Sequence, residues 1–175
     1  MRWTNEWAAM PMPAVVVPDA LGPNLAAEAR ARLEYVGYTR FALLDRGSYG
    51  YVDAPAEPEL LAAITAIATD VTGRSLTLAH ARVVRLDPGD YILTRHDRVY
   101  DDRPVELVLD LSPAALPGAE VRYRHRGQFV FTFPSTPGAL ALIERSPTVI
   151  CNHTYVSKLQ AASVVRLIVL LRSAL

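Results

Sequence analysis

Two histidines, an aspartate and an arginine are the residues whose types and spacing could do chemistry together. His96 and Asp97 end the run DPGDYILTRHD, and His153 follows Asn152 in the run TVICNHTYV. Arg166 lies inside the apolar run SVVRLIVLL, where a buried guanidinium needs an anionic partner because an unpaired buried charge is costly. Two imidazoles and a carboxylate on one face form an open iron site, beside which the arginine would anchor an anion.

The segments that must position these residues are short apolar runs after Gly73. Turn residues rich in Pro, Gly, Asp and Ser separate the runs, which is typical of β-strands. Two of the runs are apolar at nearly every position, so they are predicted to be strands that are covered on both faces. The runs are SLTLAHARVVRL, DYILTRH, PVELVLDLS, AEVRYRH, QFVFTF, GALALIE, TVICNHTYV and SVVRLIVLL, and the two continuous ones are PVELVLDLS and SVVRLIVLL.

Two helices are predicted ahead of these strands. PNLAAEARARLEYVGY and PELLAAITAIATDVTG repeat apolar residues at helical spacing, each between a proline at the start and a glycine near the end. The segment between them, FALLDRGSYGYVDAP, is interpreted as extended and loop-like. Helices followed by strands differ from the alternating order of a parallel α/β sheet. The order therefore predicts an antiparallel barrel or sandwich with helices on one outer face.

Composition favours one globular domain over residues 1–175, with a helical support region at 1–75 and a β core at 76–175. The hydrophobic fraction is 51%, and 18 basic residues balance 18 acidic ones, which argues against a nucleic-acid surface. The single cysteine excludes an internal disulfide and a cysteine-rich zinc site. The start lacks the apolar region of a signal peptide, and the last run is too short to span a bilayer. We therefore expect a cytoplasmic protein without a membrane partner, and the oligomeric state stays open.

The order PGDYILTRHD, VELVLDLSP, LPGAEVRY, ALALIER, CNHTYVS, SVVRLIVLL resembles the iron(II)- and 2-oxoglutarate-dependent oxygenases, most closely their prolyl-hydroxylase-like branch. The two predicted helices resemble those that support the double-stranded β-helix of this family, so the resemblance covers most of the chain. It implies a mainly β fold, a double-stranded β-helix (jelly roll) supported by two or three helices. It also implies a dioxygenase, hydroxylase-like, that uses Fe(II), 2-oxoglutarate and O2 on a small molecule or a peptide residue.

The resemblance also implies roles for individual residues. His96 would be the proximal iron ligand and His153 the distal one. Arg166 would bind the far carboxylate of 2-oxoglutarate, and Tyr91, in the same predicted strand as His96, would hydrogen-bond to that carboxylate as well.

The sequence departs from the family pattern at the carboxylate. The pattern is His-x-Asp, whereas this chain has His96, Asp97 and Arg98. Alternate side chains of a strand face the same way, so adjacent His and Asp side chains point to opposite faces.

Several solutions to this departure stay open. A bulge or the end of the strand would turn Asp97 inward, or Asp101 or Asp102 of the following loop would supply the carboxylate. In another register Arg95 takes the histidine position and Asp97 the aspartate position, which leaves one histidine and one carboxylate. The metal site would otherwise be degraded, and the chain would be a non-catalytic binding or scaffold protein of the same fold. A cupin-like metal protein that does not use 2-oxoglutarate is a further alternative.

Structural roles compete with each of these assignments. In the structural alternative, His153 would be a core histidine whose hydrogen bonds are satisfied within the fold, and Arg166 would form a salt bridge at a strand edge. Arg172 is a rival for the role of anion partner. His80 and His125 are interpreted as surface residues.

Overall fold

The computed structural model describes residues 2–9, 12–53 and 57–174. Helices and strands alternate up to residue 72, and strands predominate afterwards. The elements in chain order are α1 (Arg2–Ala9), β1 (Ala14–Val17), α2 (Gly22–Glu34), β2 (Thr39–Leu43), β3 (Gly47–Asp53), α3 (Pro58–Thr72), β4 (Leu76–Leu86), β5 (Tyr91–Ile92), a 3₁₀ turn (Thr94–His96), β6 (Val105–Asp110), β7 (Glu120–His125), β8 (Gln128–Pro134), β9 (Leu140–Glu144), β10 (Val149–His153) and β11 (Val164–Ser173).

The strands form one nearly closed antiparallel sheet. Its strand order is β1-β9-β6-β11-β4-β3-β5-β10-β7-β8, and β2 pairs with β3 beside this path. The predicted antiparallel, mainly β architecture is therefore confirmed. Strands that precede residue 75 belong to the same sheet, because β1 pairs with β9 and β3 lies between β4 and β5.

The two predicted helices are present as α2 and α3, and α1 precedes them. Proline occupies the first turn of both predicted helices, and α3 ends where Gly73 adopts a left-handed φ of 66° and donates its N–H to Thr69. None of the helices in the described ranges combines the length and apolar character needed to cross a bilayer.

The segment DYILTRH differs from its prediction as a single strand. Strand β5 ends at Ile92, and His96 lies in the 3₁₀ turn that follows. The strand rule that would place His96 and Asp97 on opposite faces therefore does not apply, because neither residue is in a strand. The strand ends before His96, so strand alternation does not set the direction of the Asp97 side chain.

Side chains alternate along the central strands, so one face of the sheet packs against the helices and the other face points into the interior of the rolled sheet. Leu107 of β6 and Leu167 of β11 are fully buried, and they share a cluster of buried side chains with Ile64 of α3. Glu106 and Arg166 precede them and point to the other side, because successive strand residues alternate. The helices thus cover one face with apolar packing, while the opposite face carries charged side chains into the interior.

Gly47 sets the approach of β3 to β5. Its φ is +124°, and a Cβ on Gly47 would lie 2.1 Å from the carbonyl oxygen of Tyr91. Gly47 pairs with Ile92, whose opposite neighbour is His153 of β10. This close approach therefore holds β3 against β5, the short strand that precedes His96 and that pairs on its other side with the strand of His153.

We expect Gly47→Ala to destabilise the fold by about 2 kcal/mol or more, because the added methyl group cannot fit and the positive φ disfavours alanine. Gly37→Ala is the matched control, since its Cβ would meet nothing within 4 Å. Urea unfolding of both variants measures the difference. Equal free energies of unfolding would contradict the role of this contact.

Candidate functional site

A cavity of about 340 Å³ opens on the interior face of the sheet. Aromatic and aliphatic side chains make up part of its wall, and three histidines, two arginines and two carboxylates also line it. The lining residues are Phe41, Tyr49, Tyr51, His80, Arg82, Val84, Ile92, His96, Asp97, Arg98, Tyr100, Glu106, Cys151, His153, Ile168 and Leu170. The cavity is within the usual size range of small-molecule sites.

His96 and His153 reach this cavity from neighbouring segments. His153 is 4% exposed on β10, and the ring of His96 packs against Phe41 and Tyr49 with centroid separations of 4.6 and 5.3 Å. The Tyr49 hydroxyl is hydrogen-bonded to Nε2 of His96. Burial, together with the charges of nearby arginines, lowers the pKa of both imidazoles, most strongly that of His153. Both rings are therefore neutral at pH 7, the form in which imidazole binds metals.

The turn DPGD holds the segment that leads to His96. Asp90 is 3% exposed, and its carboxylate accepts hydrogen bonds from Arg40, from the Ser48 hydroxyl at 2.7 Å and from the Asp87 N–H at 2.9 Å. Burial acts to raise the pKa of Asp90, but these hydrogen bonds outweigh burial and lower it. The carboxylate therefore stays ionised and ties the turn to β2 and β3.

Asp97 is fixed by a buried charge network. Its Oδ2 accepts hydrogen bonds from Nη2 of Arg145 at 2.5 Å and from the N–H of Cys151 at 2.7 Å. Arg145 also donates to Glu106 at 2.8 Å, and Glu106 accepts a hydrogen bond from the Tyr123 hydroxyl at 2.6 Å. Both hydrogen bonds to Asp97 fall on Oδ2, which leaves Oδ1 as the oxygen that can ligate. Outer partners commonly orient a ligating carboxylate in this way.

Arg145 remains a cation within this network. It is 2% exposed, and although burial acts to lower its pKa, the charges around it, foremost Glu106, raise that pKa. Burial raises the pKa of Glu106. One guanidinium thus serves two acidic groups that would otherwise be buried next to each other without a counter-charge.

Arg166 lies two residues before Ile168, on the same face of β11, and is 1% exposed. Nη2 donates to the carbonyl oxygen of Ala119 at 2.8 Å, and Nη1 lies 3.1 Å from Nδ1 of His153. Its Nε has no hydrogen-bond partner among the described residues. Asp110, opposite Arg166 on β6, instead accepts the N–H groups of Ser112 and Thr136. This guanidinium fits an anion, because its donors meet a carbonyl and an imidazole nitrogen but no carboxylate.

Solved structures similar to this chain have the same architecture. Prolyl-4-hydroxylase from Pseudomonas putida superposes with a TM-score of 0.77 at 16% identity, covering 99% of this chain and 98% of that chain. An oxidoreductase of the 2OG-Fe(II) oxygenase family from Burkholderia pseudomallei gives 0.75 at 12% identity, with 97% and 89% covered. The non-heme α-ketoglutarate-dependent epimerase SnoN of nogalamycin biosynthesis gives 0.73 at 15% identity, with 99% and 80% covered. No protein-family model and no curated protein matches the sequence.

The chain has the fold of the 2-oxoglutarate- and iron(II)-dependent oxygenases. The predicted double-stranded β-helix with supporting helices is therefore confirmed. At these identities the likeness concerns the fold, so the roles of individual residues depend on the geometry of this chain.

Within this oxygenase fold, only some of the predicted site residues lie together at the cavity. His96, Asp97 and His153 line one cavity, with Arg166 in contact with His153. Over the described parts of the chain, however, no three His, Cys, Asp or Glu side chains form a group that could hold a metal ion. The donor types fit iron(II), but the three side chains are not already gathered around one point.

Two further predicted residues lie elsewhere. The side chain of Asp102 is 65% exposed and lies 3.7 Å from Arg103, outside the cavity lining. The Tyr91 hydroxyl faces Leu44, 3.5 Å from its carbonyl oxygen, because alternation turns Tyr91 outward where Ile92 turns inward. Tyr49 of β3 places a hydroxyl in the cavity instead.

Several cavity residues are not apparent from the sequence. His80, interpreted as a surface residue, lines the cavity 3.6 Å from Asp53. Glu106 and Arg145 form the network around Asp97, and a signal for Glu106 exists, since it is a lone acidic residue near the start of the apolar run PVELVLDLS. No local pattern marks Arg145, whose partners are 39 and 48 residues away.

We expect Arg145→Met to lower the free energy of unfolding by about 3–5 kcal/mol, because it leaves two buried carboxyl groups without their cation. Arg74→Met is the matched control: this half-buried arginine forms a 2.6 Å ion pair with Glu144 that solvent reaches, and such pairs contribute about 1 kcal/mol or less. Chemical denaturation measures both. A similar loss in the two variants would show that burial of the Arg145 network does not matter.

His153 makes stability depend on pH in a definite direction. Its pKa is lowered in the fold, so below about pH 6.5 the unfolded chain binds more protons than the folded chain. Its contribution is complete above that value and is lost as pH falls towards the folded pKa. We expect the wild type to lose stability between about pH 7.5 and 5.5 more steeply than His153→Gln. Parallel pH curves from denaturant unfolding would rule out this coupling.

Proposed function

We propose that this chain is an iron(II)- and 2-oxoglutarate-dependent oxygenase, a hydroxylase of a small molecule or a peptide residue. The observation that carries the proposal is Arg166, a buried guanidinium without a carboxylate partner that contacts His153, one of two neutral histidines that line the cavity. Charged groups are buried in proteins when something pairs with them. A dicarboxylate from solution would supply that pair.

Arg166 would bind the far carboxylate of 2-oxoglutarate. The planar fork of a guanidinium binds a carboxylate through two N–H groups, and Nε is unpartnered while Nη1 meets only the imidazole of His153. A carboxylate at Arg166 would replace the His153 contact. Nδ1 of His153 would then be free to carry the ring proton, which leaves the lone pair of Nε2 for a metal.

His96, His153 and the Oδ1 atom of Asp97 are the groups that would hold iron(II). Bound there with 2-oxoglutarate, iron would supply the oxidation of a substrate C–H bond by dioxygen. The chain orients this site in two ways. Tyr49 and Phe41 fix the ring of His96, and Arg145 with the Cys151 N–H fixes the carboxylate of Asp97.

The apolar part of the wall would keep water from the reaction. Val84, Ile92 and Ile168 line the cavity next to the charged and imidazole side chains, and these residues belong to one cluster of largely buried side chains. A drier cavity strengthens the attraction between Arg166 and a carboxylate, because the effective dielectric constant is lower than in water.

The names of the similar structures support the general class and leave the substrate open. They include a prolyl-4-hydroxylase, an epimerase, and a prolyl hydroxylase in complex with a peptide fragment of hypoxia inducible factor. The same fold therefore serves substrates of different sizes.

A second candidate is a non-catalytic binding protein of the same fold. The observation that favours it is the carboxylate: Asp97 is engaged with Arg145 and Cys151, and Arg98 occupies the second position after His96. In this reading Asp97 has a structural role only, and the cavity binds a dicarboxylate through Arg166 without metal-dependent turnover.

The test is anaerobic titration with iron(II) and 2-oxoglutarate, followed by exposure to O2 and measurement of succinate. We expect a weak visible charge-transfer band and succinate formation in the wild type. His153→Gln should abolish both, whereas His125→Gln, which lies outside the cavity lining, should keep both. Arg166→Met should raise the 2-oxoglutarate concentration needed at least about tenfold, because it removes a charge-assisted pair.

The outcomes separate the two candidates. Tight binding of 2-oxoglutarate that depends on Arg166, without a band or succinate, would favour the binding protein. Retention of turnover in Asp97→Asn would remove Asp97 from the ligand set. Absence of both 2-oxoglutarate binding and metal binding would refute the oxygenase proposal.

A further inference from the structure

Arg98 at the cavity mouth has no acidic partner in the described part of the chain. It follows the 3₁₀ turn, is exposed and lines the cavity, yet no described residue forms an ion pair or a hydrogen bond with its side chain. The other arginine of the lining, Arg82, differs, because it donates to Asp53 at 2.7 Å. Arg98 is therefore a positive charge at the entrance whose counter-charge is not among these residues.

The acidic side chains of the cavity do not form an ion pair with Arg98, because each of them contacts another cation. Asp97 and Glu106 both bind Arg145, which is buried behind them. Asp53 binds Arg82 and lies 3.6 Å from His80. Asp97 and Glu106 thus share Arg145, and Asp53 pairs with Arg82, so none of these carboxylates is in contact with Arg98.

The charged side chains in and next to the cavity include more arginines than carboxylates. The arginines are Arg82, Arg98, Arg145 and Arg166, and the carboxylates are Asp53, Asp97 and Glu106. The chain as a whole has equal numbers of basic and acidic residues, so this excess of one arginine is local. An excess of one sign of charge attracts ligands of the opposite sign.

Iron(II) and 2-oxoglutarate would leave this excess in place. The two charges of the metal ion are balanced by the two charges of the dicarboxylate, whose far end would meet Arg166. Neither group would supply a counter-charge to Arg98, because Arg98 lies at the entrance of the cavity, whereas Arg166 is buried next to His153. A further anionic group at the mouth would provide it.

We infer that the substrate is a small organic acid whose free carboxylate is bound by Arg98 at the mouth of the cavity. This inference rests on the proposed function. A single guanidinium fork matches one carboxylate, and the aromatic residues Phe41, Tyr51 and Tyr100, which line the same cavity, offer apolar surface to the body of such a molecule. The cavity volume of about 340 Å³ must hold 2-oxoglutarate as well, which favours a compact acid over the interior of a peptide.

The experiment compares carboxylic acids with their neutral amides. The probes are 3-phenylpropionate and 3-phenylpropanamide, and N-acetyl-L-proline and N-acetyl-L-prolinamide, the last of which imitates a residue within a peptide. Binding is measured by ligand-observed NMR without oxygen, on protein with iron(II) and saturating 2-oxoglutarate to occupy Arg166. We expect each acid to bind at least about tenfold more tightly than its amide, because only the acid supplies a charge-assisted pair.

Three variants assign this preference to Arg98. Arg98→Gln should reduce the acid-over-amide ratio to nearly one, and Arg98→Lys should restore part of it by restoring the charge. Arg32→Gln makes the same change of charge on the outer surface of α2, where Arg32 pairs with Glu57, and should leave the ratio unchanged.

Equal binding of acids and amides, no binding of either acid, or a preference that persists in Arg98→Gln would each overturn the inference. Its failure is distinguishable from failure of the proposed function, which is read from 2-oxoglutarate binding to the wild type and to Arg166→Met. If 2-oxoglutarate does not bind, the same acid and amide pairs are measured without it, and the Arg98→Gln ratio decides the inference alone.

Discussion

The ion pairs of Arg145 are the interaction on which the candidate site depends. One buried guanidinium binds Asp97 and Glu106, and so connects the segment after the 3₁₀ turn to the central strand β6. Burying three ionisable groups is unfavourable unless they satisfy one another, which makes the arrangement intolerant of partial disruption. The position of Asp97 beside His96 is a consequence of this network and not of strand geometry.

A second consequence is the division of charge within the cavity. Because Arg145 binds both Asp97 and Glu106, neither Arg166, which contacts His153, nor Arg98 at the mouth is in contact with an acidic side chain among the described residues. The histidines between them are neutral, since protonation next to arginines in a buried setting is unfavourable. Both guanidinium groups are therefore open to an anion, and two neutral imidazoles line the cavity.

Much of the fold was accessible from local patterns. The periodicity of PELLAAITAIATDVTG, with its proline and glycine boundaries, predicted α3, and the continuous apolar run PVELVLDLS predicted a strand covered on both faces, as β6 is. His96, His153 and Arg166 were identifiable because polar residues in apolar runs need a reason. Tyr91 was implied by the family resemblance and Asp102 was one open alternative for the carboxylate, whereas the short strand β5 turns Tyr91 outward and Asp102 is exposed.

By itself, the sequence determined α2, α3, most of the strands after Gly73 and the candidate metal and anion groups, because these depend on patterns within a few residues. Only the tertiary structure decided that the strand ends before His96, that Arg145 holds Asp97, and that His80 and Arg98 line the same cavity as His96 and His153. These features depend on pairings between residues far apart in the chain. Such pairings are set by sheet register and by the balance of buried charge, which leave no local trace in the sequence.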